Sequence, residues 1–594
     1  MKKILTTTFA FLLANSVLSQ AHNEQVTVVA PHQPVLIGEF RKINISPQTI
    51  DSVLVPRAIS YSIFSRQVPT VFPIDNIRPA RIAGEPLSVL SPLHARAGFG
   101  NYNTWYGELF YGSGRSRNWE YGTHLKHRSS HGRFSGHEVP FNNSVNLIRL
   151  FGNYFGSNVL LSADFHYDRR RVSAYGADSI FMQFDPGSFD EIFYKRVFNN
   201  LGGSIGFSDN QTEVIGFRYS GRFNIDNIQS NHRGNSTNAN ELSLGFSGNI
   251  NQTFAMFRPN LDRITVGLDA SMDWHRFEER NLPDWFPGDP YTLSSTMLQF
   301  RPYGKFYLGQ TELSVGLQVN IFDEPVGGVL PLETETQTAF FPTIHARINL
   351  LENILSVHLG MDGNAKYSTF RRIVERNPFV VSSRHGFWGQ SIIYPIERRR
   401  EYYLGLNTTL SRRMDFSVRG SFIDYRNMLN FLDDMVVTSL IGDINRTPFF
   451  IPSADNVNIV RLQANLNYQL DDRVSVSAMA RWNSYDRSDI LYMPTFEANL
   501  AVRYNIENKI ILRTQLEINA GRQYTVLPTS GWAGPFEINT FSPIVDWSIG
   551  AEYRFNRRWG AFVEFNNILN QRYHHWFNYR SFGTNFLIGA TFNL

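Results

Sequence analysis

Residues 262–276 read DRITVGLDASMDWHR, and their alternation decides the fold. Ile264, Val266, Leu268, Ala270, Met272 and Trp274 take every second position, with Arg263, Thr265, Gly267, Asp269, Ser271, Asp273 and His275 between them. Successive side chains of a strand point to opposite faces, so the segment has one greasy face and one wet one. The pattern returns at 312–321, where Leu313, Val315, Leu317, Val319 and Ile321 oppose Glu312, Ser314, Gly316, Gln318 and Asn320. It returns at 459–470, with Arg461, Gln463, Asn465, Asn467 and Gln469 on the wet face, and at 473–482, with Val474, Val476, Ala478, Ala480 and Trp482 on the greasy one. A soluble sandwich alternates too. These segments run to 10–14 residues, however, where soluble strands are mostly about 5–6 and membrane barrel strands need about 9–11. Trp274, Trp482, Tyr504, Trp547 and Trp559 stand near strand ends, where interfacial girdles place aromatics.

Working outward, the connections alternate between short and long. Short turns are expected at 113–117, 155–158, 209–211, 309–310, 351–353, 411–413, 470–473, 506–509 and 556–558, with a slightly longer one near 251–260. Between them lie loops near 129–142, 168–193, 223–239, 276–292, 322–336, 362–399, 428–455, 486–492, 522–541 and 567–580. Short periplasmic turns with long extracellular loops mark an outer-membrane barrel. Residues 94–594 therefore predict an all-β, antiparallel transmembrane barrel of about 22 strands, with both ends on the periplasmic side.

Composition agrees. No apolar run beyond residue 20 exceeds four residues, whereas a membrane helix needs about 20. With 48 Phe, 26 Tyr and 10 Trp, the chain is too aromatic to be disordered. Residues 1–20 read as a secretory signal peptide, with Lys2 and Lys3 ahead of an apolar stretch. There is no cysteine, hence no lipoprotein anchor site and no disulfide framework. Lys and Arg (56) exceed Asp and Glu (52) by four, and removing the leader takes two lysines away. Such a balance gives no argument for nucleic acid.

The last strand sets Phe586, Ile588, Ala590, Phe592 and Leu594 on one face. Gly589, Phe592 and terminal Leu594 resemble the C-terminal assembly signal that the barrel-assembly machinery reads, although Leu587 replaces a usual polar residue and the chain ends in Leu rather than Phe. Ahead of it, Asn566, Asn567, Ile568, Leu569, Asn570, Gln571, Arg572 and Tyr573 resemble the barrel end of TonB-dependent receptors. The cadence of residues 94–128 looks like plugless members of that superfamily from Bacteroidota. The resemblance implies an outer-membrane receptor or transporter working with a TonB-like energiser. Such receptors carry a plug of about 130 residues behind a short energy-coupling box. Here Glu24, Gln25, Val26, Thr27, Val28, Val29 and Ala30 look like that box, or like a β-prone extended segment that docks elsewhere. Residues 31–93 then hold nine prolines, which cannot donate to a ladder, so 21–93 reads as a Pro-rich periplasmic or luminal segment without a full plug. A barrel of this width needs a seal. The expectation is that 38–93 folds into or under the lumen together with inward-folded loops, or that a partner closes it.

Candidate chemistry is sparse. Asp164, His166 and Asp168 share a polar face, followed by Arg169, Arg170 and Arg171; Asp269, Asp273 and His275 repeat the pattern. Acid–His pairs serve catalysis only within hydrogen-bond reach, and no nucleophile or oxyanion site completes either group, so no enzyme activity and no cofactor is expected. His124, His127, His131 and His137 lie close in sequence, but His124 and His127 differ in parity and no metal site is assigned. Arginine clusters at 169–171, at 371, 372 and 376, and at 398–400 suit lipopolysaccharide phosphates or pairing with Glu375, Glu397 and Glu401. Two functions stand: solute uptake through the barrel, or a non-transporting scaffold within an outer-membrane complex of barrels or lipoproteins. Inward-facing Arg and acid are mixed, which disfavours a pore selective for one sign.

Overall fold

The computed structural model describes residues 91–594 apart from 135–139, 177–194, 212, 232–237, 259–260, 281–290, 327–332, 353, 381–395, 438–443 and 527–536. The leader, the box-like residues Glu24 to Ala30 and most of the proline-rich segment lie outside the described residues.

Twenty-two strands form one antiparallel sheet that closes on itself. Each pairs with its sequence neighbours, and the first, Leu93–Gly100, also pairs with the last, Asn585–Asn593. Closure follows from lipid, which leaves no open sheet edge tolerable. The short turns fall where the alternation puts them, except near 251–260, where the strand Asn238–Arg258 runs on through most of the expected turn. They share one end with the termini: the Leu594 amide donates to Leu93 O at 3.0 Å and the Gly112 amide to Pro92 O at 2.8 Å. Among the described residues no helix is long and apolar enough to cross a membrane.

The two faces sort as the sequence requires. Val266 is 55% exposed and Ile205 65% exposed, a position that only lipid stabilises. Exposed aromatics form two belts, with Trp119, Tyr553 and Trp559 at the short-turn end and Trp105, Trp482 and Trp547 at the other. A band of apolar side chains between aromatic girdles places the barrel in the bacterial outer membrane.

Two expectations are corrected. The first long-loop-side connection is only residues 101–103, with Tyr102 and Asn103 in the left-handed region, so alternation of short and long is not strict. Several strands also outrun 10–14 residues: Met414–Val437 has 24 and Ile444–Gln469 has 26. Their ladder continues through Met428↔Asp455 and Leu432↔Ile451, inside the expected loop 428–455. At about 3.3 Å per residue a 24-residue strand spans roughly 80 Å, far beyond the lipid band. Above the membrane neither face meets lipid, so period two fades from the sequence while the pairing persists.

The closing seam is tight. Gly98 pairs with Gly589, and the Phe562 ring from the neighbouring strand Trp559–Asn566 covers both glycines while itself being 3% exposed. The Arg96 guanidinium sits 4.2 Å from the centre of that ring and pairs with Glu564 at 2.8 Å. Phe586, Ile588 and Leu594 face outward and Leu587 and Thr591 inward.

Candidate functional site

The wet face of the strands builds the lumen wall. Ser162, Arg222, Ser247, Ser271 and Gln299 line one recess of about 620 Å³, below which Gly206 and Gly248 leave room. A second of about 590 Å³ is lined by Arg413, Asp415, Arg503, Arg513 and Glu564. The charges pair across strands: Arg301 with Asp269 at 2.5 Å, Arg481 with Glu497 at 3.0 Å, Arg513 with Glu552 at 3.4 Å. Each of these three arginines thus meets a carboxylate on the adjoining strand, while Arg503 and Arg513 stand opposite one another.

The outer end is different. Phe141, Phe198, Phe277, Phe322 and Phe341 point inward from the walls and join one buried apolar cluster with Ile373, Val374, Leu491, Tyr492 and Tyr579. The latter five come from connections that fold into the mouth. One is residues 368–380, which contains the helix α1 (Phe370–Arg376), capped by Thr369, whose hydroxyl accepts from the Arg372 amide at 3.3 Å. Another ends in the hairpin His574–Trp576 with Tyr579–Arg580. Apolar loop side chains have no lipid to face above the membrane, and the barrel interior is the one place where they can leave water.

Asn567 pins the last of these connections. It sits at φ 49°, a left-handed conformation asparagine tolerates, and is 1% exposed. Its amide donates to Gln571 O at 2.7 Å and Phe582 O at 2.8 Å, while its Oδ1 accepts from the Gln571 amide at 3.0 Å. Gln571 bridges to the Val545 amide at 2.7 Å, and the Tyr573 hydroxyl donates to Asp546 at 2.7 Å. The stretch Asn566 to Tyr573 thus fastens a loop. Nearby, Arg522 is buried and donates to His574 O at 2.7 Å and His575 O at 2.9 Å. Burial lowers its pKa to about 10, so it keeps its charge.

The candidate acid–histidine groups resolve into wall pairs. The Ser204 hydroxyl donates to Asp164 rather than to an imidazole. His166 pairs with Asp226 at 3.0 Å, and Asp269 with Arg301. His275 meets the Ser243 hydroxyl at 2.8 Å, a Ser–His contact that strand parity alone did not reveal. The amides around Ser243 pair within the ladder, which leaves none to stabilise an oxyanion. His124 stacks on Phe110 and pairs with Glu108 at 2.9 Å inside, while His127 bonds Asn146 at 2.7 Å on the other face; His137 lies outside the described residues. Among the described residues no group of His, Cys, Asp or Glu is arranged to hold a metal. Arg372 pairs with Glu397, Arg398 with Glu324 and Arg399 with Glu401, so these clusters are self-paired.

Gly589, Phe592 and Leu594 come together on the closing strand, Phe592 packing at 4.8 Å from the Trp559 ring. Inward packing of the loops was legible only as a need. Its residues carry no motif, because a hydrophobic contact between loops hundreds of residues apart leaves no periodic trace.

No protein-family model and no curated protein matches this chain. Solved structures do. The pyoverdine outer membrane receptor FpvA from Pseudomonas aeruginosa PAO1 matches with a TM-score of 0.60 and 11% identity, over 86% of this chain and 79% of that one. The ferric-catecholate import receptor Fiu from E. coli K12 matches with a TM-score of 0.57 and 12% identity, over 85% and 82%. The siderophore receptor PirA from Acinetobacter baumannii matches with a TM-score of 0.59 and 10% identity, over 86% and 81%. At such identities the likeness is one of fold, and the fold is the 22-stranded barrel of outer-membrane receptors.

Proposed function

We propose that this chain is an uptake barrel of TonB-dependent receptor type, of the plugless kind known from Bacteroidota, carrying a solute across the outer membrane. The observation that carries this reading is a wet, charge-paired lumen beneath an apolar cluster at the outer mouth. A structural barrel has no need of a hydrated interior, whereas a transporter needs both a path and a closure. The box-like residues Glu24 to Ala30 would engage a TonB-like energiser, and Gly589, Phe592 and Leu594 would present the closing strand to the barrel-assembly machinery. Alternation turns Arg169 and Arg171 outward at the outer rim, within reach of lipopolysaccharide phosphates. The fold likeness to receptors for siderophores supports uptake over catalysis.

The scaffold reading is favoured by one observation, the apolar packing of the outer mouth. Native affinity purification with mass spectrometry, paired with solute uptake by a deletion strain, separates the two. Uptake predicts recovery with an energiser, loss of growth on some solute, and the same loss on deleting residues 24–30. A stoichiometric set of barrel or lipoprotein partners with unchanged uptake would sink it.

A further inference from the structure

Residues 368–380, which follow the strand Leu355–Tyr367, turn inward rather than rising over the rim. Ser368, Phe370, Ile373, Val374, Asn377 and Val380 are all buried. A seven-residue helix such as α1 is far too short to hold itself in water, so its neighbours hold it.

They do so from two sides. On one, buried Glu241 accepts from the Phe370 amide at 2.6 Å and the Arg371 amide at 3.3 Å. Arg371 pairs with Asp226 at 2.8 Å, and Asp226 with His166. On the other, Arg376 donates to Leu429 O at 3.0 Å, the Phe450 amide donates to Phe379 O at 3.0 Å, and Phe379 stacks on Tyr579 with ring centres 3.7 Å apart. Arg196 donates to Val380 O, and Arg372 makes two 2.9 Å bonds to Glu397. The strands Gly216–Asn231 and Asn238–Arg258 hold the first end, Met414–Val437 and Ile444–Gln469 the second, and six strands of the ring lie between them. Residues 368–380 are a chord across the mouth.

We propose that this chord is a strap latched by charge, and that breaking the latch opens the lumen to the outside. Phe370, Ile373, Val374 and Val380 seat it in the apolar cluster; its remaining ties are ion pairs and hydrogen bonds that water or an arriving solute can replace. Buried carboxylates such as Glu241 and Glu397 are stable only while paired. A partly lifted strap would leave Glu397 without the Arg372 guanidinium and Glu241 without two backbone donors. The arrangement therefore has two states, latched or fully withdrawn with both carboxylates hydrated, as switching loops require. The inference concerns access from outside alone, so its failure leaves the uptake reading standing.

The chain lacks cysteine, which allows a direct test in the full-length protein in intact cells. Ser247→Cys places one thiol on the lumen wall recess, and Asp489→Cys places one on an exposed outer connection as reference. Both are labelled at pH 7 with a bulky, membrane-impermeant maleimide. The strap predicts that Ser247→Cys labels at least about tenfold more slowly than the reference. Adding Arg371→Gln with Arg372→Gln should remove most of that protection. Asp226→Asn with Glu397→Gln breaks the same latch from the wall, in case the strap variants fail to fold; heat-dependent gel migration scores folding. Equal labelling of the two thiols in the parent background overturns the proposal. So does protection that survives either latch-breaking pair in a folded barrel.

Discussion

Replacing Gly589 by alanine puts a methyl group into a crowded part of the closing seam. A Cβ at this position would lie 2.1 Å from Ala97 O and 2.6 and 2.7 Å from atoms of the Phe562 ring. The ring can swing aside, but the carbonyl belongs to the strand that closes the barrel and cannot retreat without loosening the ladder. Overpacking costs about 1–3 kcal/mol and a weakened ladder bond about 1 kcal/mol more. Together these give about 2–4 kcal/mol, or roughly 30- to 1,000-fold in the folding equilibrium at 1.4 kcal/mol per decade. Urea titration of the barrel refolded into lipid vesicles, scored by migration of unheated samples on gels, measures this. Gly107→Ala is the matched control, because a Cβ there meets nothing within 4 Å. Adding Phe562→Ala to Gly589→Ala should leave most of the loss, since the carbonyl clash remains. A Gly589→Ala barrel within about 0.5 kcal/mol of the parent, or a Gly107→Ala barrel equally damaged, would refute the reasoning.

Two further outcomes follow from the same structure. Val266→Arg, which puts a charge on the lipid face, should cost about 2–4 kcal/mol if the position lies near the bilayer midplane, while Ser247→Arg in the lumen should stay within about 0.5 kcal/mol; equal losses would mean that the faces are misassigned. Arg372→Ala leaves buried Glu397 without its guanidinium, a loss of about 3–5 kcal/mol felt locally, so hydrogen exchange across residues 370–376 should quicken while strand amides keep their protection.

The alternation in 262–276 and its repeats determined the barrel, its strand number and which face of each strand meets lipid. They could do so because lipid on one side and water on the other impose a period of two on every strand that crosses. The short turns were equally legible, since a tight reversal must interrupt that period. Where lipid ends, the constraint ends with it, and the ladder extensions above the membrane, such as Met428↔Asp455, left no pattern to read. The acid–histidine groups show the same limit from inside: parity placed Asp164, His166 and Asp269 on the wet face, but their partners Ser204, Asp226 and Arg301 are set by the register between strands. The need for a seal followed from the strand number alone. That loops pack an apolar cluster into the mouth, with Arg371, Arg372 and Arg376 tying residues 368–380 there, was decided only by tertiary structure. Those ties join residues far apart in sequence, through single pairings that no local spacing encodes.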